Sequence, residues 1–147
     1  MEFVLCGDNK NGKVETTAAE DTQKSIGITQ KDIREVQLAK GAMRAGVEIL
    51  LGELGIEWDD IKTVLIAGAF GNYLKPQSIV GVGLIPKELK DKIKFVGDAA
   101  LTGAVEAALD DDAKRGIEQL AKTIDYVELS SDESFNDLFI ERLPFGT

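Results

Sequence analysis

Histidine is absent and cysteine occurs once, as Cys6, in this chain of 147 residues. Without an imidazole, and with a single thiol, the usual zinc, haem and histidine-base chemistries have no ligands, and no disulfide can close within the chain. Cys6 is expected to be structural. Any catalysis would have to use carboxylates, lysines or a bound nucleotide. Basic clusters are lacking too: 17 Lys and Arg stand against 26 Asp and Glu, for a net charge of −9. No run of cations is long enough to track a phosphate backbone, which argues against nucleic acid as a partner. Long apolar runs are also missing. The longest, residues 64–70 and 49–51, fall far short of the roughly 20 residues that a bilayer span requires, and no cationic-then-apolar leader opens the chain. A cytoplasmic protein with no membrane partner is expected.

What is present suits one globular domain. A composition of 44% hydrophobic and 29% charged residues supports a packed core rather than disorder. Residues 3–6 form a short apolar run, Asn11-Gly12 is a turn signal, and residues 14–17 form a second extended run, which together predict an N-terminal β-hairpin. The polar segment 20–24 reads as an exposed loop. Thr29 and Asp32 make an approximate capping box, after which Ile33, Val36, Met43, Val47, Leu50 and Leu54 recur at helical spacing. A long helix from about residue 30 to Leu54, ended by Gly55, is expected to bury this stripe, widened by Leu38, Ala42, Ala45 and Ile49.

Residues 63–67 read as a buried central strand, with Leu65 and Ile66 inside, running into the turn Gly68-Ala69-Phe70-Gly71-Asn72. Pro76 opens a short helix to Val82. Residues 93–96 repeat the strand, and Gly97-Asp98 repeats the turn before a helix over 99–109. A further helix over 110–124, a strand over 126–129 and a last helix capped by Ser130 and Ser131 complete the prediction. The fold class is α/β with a mixed sheet, and both glycine turns lie at strand carboxyl ends, where ligands of such sheets bind.

Gly68 and Gly71 lack the Cβ that would block close approach, so a flat ring or sugar could lie on this turn and meet main-chain N–H groups. The alternative is that they only permit a tight strand-to-helix connection. Asp98 is better suited to capping the following helix than to binding a ligand. Asp110, Asp111 and Asp112 suit a helix N-terminus rather than a metal site, since three adjacent carboxylates do not converge on one ion unaided.

The segments ITQKDIREVQLAKGA (residues 28–42), AGAFGNY (67–73), GLIP (83–86) and VGDAA (96–100) resemble the C-terminal region of reductive activators of corrinoid proteins. That family belongs to the ATPase superfamily of acetate and sugar kinases, chaperones and actin. The resemblance implies a ribonuclease H-like, actin-like lobe in which residues 64–72 are the adenosine motif. Gly68, Ala69, Phe70, Gly71 and Asn72 would then face the adenine and ribose of ATP or ADP. By the same resemblance, the long helix sends Gln37, Lys40 and Arg44 over the adenine, although Lys40 would equally snorkel from the helix edge. A corrinoid protein is the implied partner, and homodimerisation is left open.

The departures from the family matter as well. The superfamily's Asp-x-Gly-Thr phosphate hairpins are missing, and Gly7-Asp8-Asn9 is not one. Magnesium would therefore be held through a missing lobe, and an iron–sulfur cluster only in a missing upstream module. A strand directly after Met1 is what an excised C-terminal domain or a short stand-alone homologue would show. The chain alone is expected not to hydrolyse ATP. Two other readings are an interaction or dimerisation module whose glycine turns are only structural, and one lobe of a small-molecule kinase.

Overall fold

The computed structural model describes residues 2–6, 26–68, 71 and 73–146. The Asn11-Gly12 turn, the strand expected over 14–17, the loop over 20–24, and Ala69, Phe70 and Asn72 lie outside these residues.

The opening strand β1 (Glu2–Cys6) pairs antiparallel with β2 (Ile26–Thr29), Glu2 opposite Thr29. Among the described residues, the partner of β1 is thus the segment just before the long helix. Thr29 ends β2 in extended backbone and also caps α1 (Gln30–Leu54). Its Oγ1 accepts the Asp32 N–H at 3.2 Å, and the Asp32 carboxylate accepts the Thr29 N–H at 2.8 Å. This reciprocal box satisfies orphan donors of the first turn. Gly55 closes the helix at φ 65°, its N–H reaching the Gly52 and Leu51 carbonyls.

β3 (Val64–Ile66) and β4 (Ile93–Phe95) pair in parallel, Leu65 opposite Lys94. Between them lie α2 (Pro76–Gly81) and a 3-10 segment, Lys87–Lys92. Ile79, Ile85 and Leu89 form the buried core under this pair, with Val64, Ile66 and Ile93 packed against it. Leu65 points the other way and is 62% exposed. The expectation that both Leu65 and Ile66 are interior fails for Leu65, because the strand pair is covered on one face only. Among the described residues there are two separate two-stranded sheets rather than one mixed sheet.

The buried side of α1 also differs from the expected stripe. Val36, Met43, Leu50 and Leu54 are exposed, whereas Gly41, Ala45, Gly46 and Ile49 are buried with Lys40 and Arg44. Small residues face inward because α5 (Phe135–Glu141) and the segment before it come close. A Cβ on Gly41 would stand 3.2 Å from Leu143 Cδ2, and one on Gly46 3.0 Å from Leu129 Cδ1.

Asp98 caps α3 (Ala99–Leu109) by accepting the Leu101 N–H at 3.1 Å, as expected. Asp110 caps α4 (Asp111–Leu120) through the Asp112 N–H at 2.8 Å. α4 stops short of Ile124, in a turn where Thr123 Oγ1 donates to the Leu120 carbonyl. The strand expected over 126–129 is not formed. Glu128 takes the Tyr126 hydroxyl and the Ser130 N–H and hydroxyl, which leads the chain into a 3-10 turn at Leu129–Ser131. The last helix begins later than Ser130 and Ser131 would place it, after Asp132 has accepted the Ser134 N–H and hydroxyl. Among the described residues, no helix is long and apolar enough to cross a membrane.

Candidate functional site

The two glycine turns singled out in the sequence meet at the carboxyl ends of β3 and β4. The Val96 N–H donates to the Ile66 carbonyl at 3.0 Å, which extends the ladder, and the Gly68 N–H donates to the Gly97 carbonyl at 2.7 Å, which joins the turns. The Gly71 N–H folds back to the Gly68 carbonyl at 3.0 Å. Both Gly68, at φ 98°, and Gly97, at φ 66°, occupy backbone that side-chain-bearing residues adopt at a cost.

The two glycines of the first turn serve different ends. Among the described residues, an added Cβ at Gly68 meets nothing within 4 Å. At Gly71, which is buried, it would come within 3.1 Å of Ile66 Cγ2. Gly71 therefore lets the turn settle on the strand, and Gly68 leaves a surface that a flat group can approach. The Gly68 and Gly71 N–H groups are donated within the fold, against the expectation that main-chain N–H groups of this turn would be free to meet a ring or sugar.

Of the three helix residues, Gln37 is half-buried, while Lys40 and Arg44 belong to a second cluster. Lys40 is 2% exposed and does not snorkel; its Nζ donates to the Pro144 carbonyl at 2.5 Å. Burial, followed by the charges of Arg44 and Arg142, pushes its pKa below the ordinary lysine value. Arg44 lies with its guanidinium carbon 4.2 Å from the centre of the Trp58 ring, and its Nε reaches Glu48 Oε1 at 2.6 Å. Arg142 Nε lies 3.1 Å from each Glu48 oxygen. Among the described residues, no hydrogen bond joins Gln37, Lys40 or Arg44 to Gly68 or Gly71.

Sequence reasoning missed Glu48, Trp58 and Arg142. The Arg44–Glu48 spacing of four residues was the only local signal, and Trp58 and Arg142 are distant in sequence. Beside this cluster, a groove of about 390 Å³ runs over Leu51, Ile56 and Trp58. Its charged lining is Glu48, Glu57 and Asp59, a sign that repels nucleotide phosphates.

Comparison with known proteins adds a family and its members. The family model described as the C-terminal domain of RACo, the ASKHA domain, matches residues 4–147. The corrinoid activation enzyme RamQ of Eubacterium limosum is 34% identical over 146 residues, covering 99% of this chain and 23% of that protein. The Co(II) methylated amine-specific corrinoid protein reductase of Methanosarcina barkeri is 31% identical over 124 residues, covering 83% of this chain and 23% of that protein. Among solved structures, a reductive activator for corrinoid, iron-sulfur protein superposes with a TM-score of 0.82 at 33% identity, covering 99% of this chain and 22% of that one. The chain thus spans less than a quarter of the length of these relatives.

Proposed function

The chain belongs to the family of RACo C-terminal, or ASKHA, domains, and on that premise we propose that it is the adenosine-binding lobe of an ATP-dependent reductive activator of a corrinoid protein. It has the actin-like fold of that family. The observation that carries the nucleotide reading is the Cβ-free approach over Gly68 at the junction of two strand-end turns.

In this reading residues 1–147 form one domain. Gly68, with Ala69, Phe70, Gly71 and Asn72, faces adenine and ribose. Gln37 is the remaining helix candidate for the ring edge. Lys40 and Arg44 act indirectly, by holding α1 to the C-terminal segment and to the Leu84 carbonyl, which Arg44 Nη1 reaches at 3.5 Å. Phosphates and Mg²⁺ are bound by a second lobe outside this chain, and an iron–sulfur module, also outside it, delivers the electron. The partner is a corrinoid protein in the cytoplasm, and nucleotide occupancy shifts the two-lobed state that docks on it. This lobe alone binds adenosine nucleotides weakly and does not hydrolyse them.

Titration of the 147-residue chain with ADP and with adenosine, followed by amide chemical shifts, tests the site. Perturbations at Gly68, Gly71 and Gly97, with nearly equal affinities for the two ligands, are expected. Perturbations confined to the groove over Trp58 would refute it.

A further inference from the structure

The groove of about 390 Å³ beside the Arg44 cluster lies between the last turns of α1 and the 3-10 turn Trp58–Asp60. Its apolar lining is Leu51, Ile56 and Trp58, and its charged lining is Glu48, Glu57 and Asp59. Trp58 is anchored twice, by the Arg44 guanidinium 4.2 Å from its ring centre and by packing against the core of Ile79, Ile85 and Leu89. An aromatic ring already fixed loses little further freedom when a partner covers it. Glu48 is balanced by Arg44 and Arg142. Glu57 and Asp59 are exposed, and among the described residues neither enters an ion pair. α1 adds charge of the same sign, because its carboxyl end lines the groove and its last turn carries no basic residue. An apolar surface with an anchored aromatic thus sits in a negative field.

We propose that this groove docks a separate protein through an arginine or lysine with apolar neighbours. The cation meets Glu57 and Asp59, while its stem and an adjacent apolar side chain cover Leu51, Ile56 and Trp58. Charge complementarity selects this occupant over a second copy of the chain, whose net charge of −9 sets two copies against each other. It also selects a separate protein over a permanently seated segment of the same polypeptide. Permanent interfaces are more apolar than this groove, whereas carboxylates around an aromatic steer a basic partner and let it leave. The volume is near the lower end for a ligand pocket, roughly 300–1,000 Å³, which suits a few side chains of a protein surface. The proposal concerns docking and holds whether or not a nucleotide lies on Gly68.

Trp58 is the one tryptophan of the chain, so its fluorescence reports on this groove alone. The probe is a capped peptide of alternating arginine and leucine, with a peptide of alternating glutamate and leucine as control. The arginine peptide should change the Trp58 emission saturably, and its affinity should fall roughly tenfold between about 50 and 300 mM salt. The Glu57→Gln, Asp59→Asn variant should bind it about five- to tenfold more weakly at an unchanged melting temperature. No response up to about 10 mM peptide, a response that salt and the variant leave unchanged, or equal binding of the glutamate peptide would overturn the proposal. Two further results would overturn it by naming another occupant. One is a Trp58 emission that changes with dimerisation of the chain itself. The other is a Trp58 shielded from acrylamide quenching in a longer polypeptide that joins residues 1–147 to the preceding region of the RamQ relative.

Discussion

Lys40 and Pro144 meet across the α1–α5 side of the domain, the ammonium donating to the carbonyl at 2.5 Å although 104 positions separate them in sequence. No carboxylate faces the ammonium among its described partners; Arg44 and Arg142 are the charges that act on it. Its pKa is lowered first by burial and then by these two cations, so the folded state gives up the proton before the unfolded state does. Charged Lys40 thus opposes folding at neutral pH, and the penalty lifts as pH rises through the folded pKa toward the ordinary value of 10.5. Lys40→Met keeps the stem and removes the charge. The melting temperature of wild type relative to this variant should rise as the pH is raised toward 10.5; a flat difference would mean that Lys40 is not held against its charge.

Among the described residues, Glu48 is the one anion that faces both Arg44 and Arg142 at close range. Glu48→Gln leaves the buried Arg44 guanidinium without its counter-charge, while Arg142 keeps Glu141 at 3.5 Å. Denaturant unfolding should show a loss of about 3 kcal/mol, near the lower end for a broken buried pair because Arg142 is partly solvated. The Arg142→Ala, Glu48→Gln double variant should lose less than the sum of the singles, since they share one interaction.

The glycines of α1 are not equivalent. A Cβ at Gly52 meets nothing within 4 Å, so Gly52→Ala should stabilise by roughly 0.5–1 kcal/mol through helix propensity. Gly41 lies against Leu143 and Phe139, at 3.2 and 3.4 Å from a Cβ, so Gly41→Leu should overpack that contact and cost about 1–3 kcal/mol. Thermal or denaturant melts of the two variants should move in opposite directions.

Exposure separates neighbours on β3 and α2 as well. Ile79, 2% exposed at the centre of the core, should cost about 2–5 kcal/mol as Ile79→Ala. Leu65→Lys in the isolated chain should stay within about 0.5 kcal/mol of wild type. Equal losses would mean that Leu65 is interior after all.

The legible parts of this fold are those that local chemistry decides. Thr29, Asp32 and Gly55 mark both ends of α1 within a few bonds of themselves, and Asp98 likewise announces α3. The inward face of α1 was legible only at Ala45 and Ile49, because the apolar stripe through Val36, Met43 and Leu50 has the stronger period, while Gly41 and Gly46 are inward through their lack of side chain. Leu65 misled for a related reason: an apolar run signals a strand, but not which of its two faces the neighbouring elements cover. Residues 126–129 have strand-type side chains, yet Glu128 satisfies Ser130 and Tyr126 locally, and no described strand competes for the backbone. The meeting of the two glycine turns at the strand ends follows from the strand-then-glycine pattern repeated in the sequence. Lys40 and Arg44 were assigned to a ligand because the residues that use them, Pro144, Trp58 and Glu48, are placed by tertiary packing.

Gly68, in a full-length protein of the proposed kind, offers the most direct measurement of whether this lobe serves a nucleotide. At φ 98°, alanine is strained there whatever its surroundings, so a drop in melting temperature, worth roughly 1 kcal/mol or more, is expected on either reading. What separates the readings is function per folded molecule. If adenine and ribose lie on Gly68, the Gly68→Ala protein should lose ATP affinity and ATP-dependent corrinoid reduction even after correction for the folded fraction, while its iron–sulfur module still accepts electrons. A Gly68→Ala protein that melts lower but binds ATP and reduces the corrinoid as wild type does, molecule for molecule, would contradict the assignment.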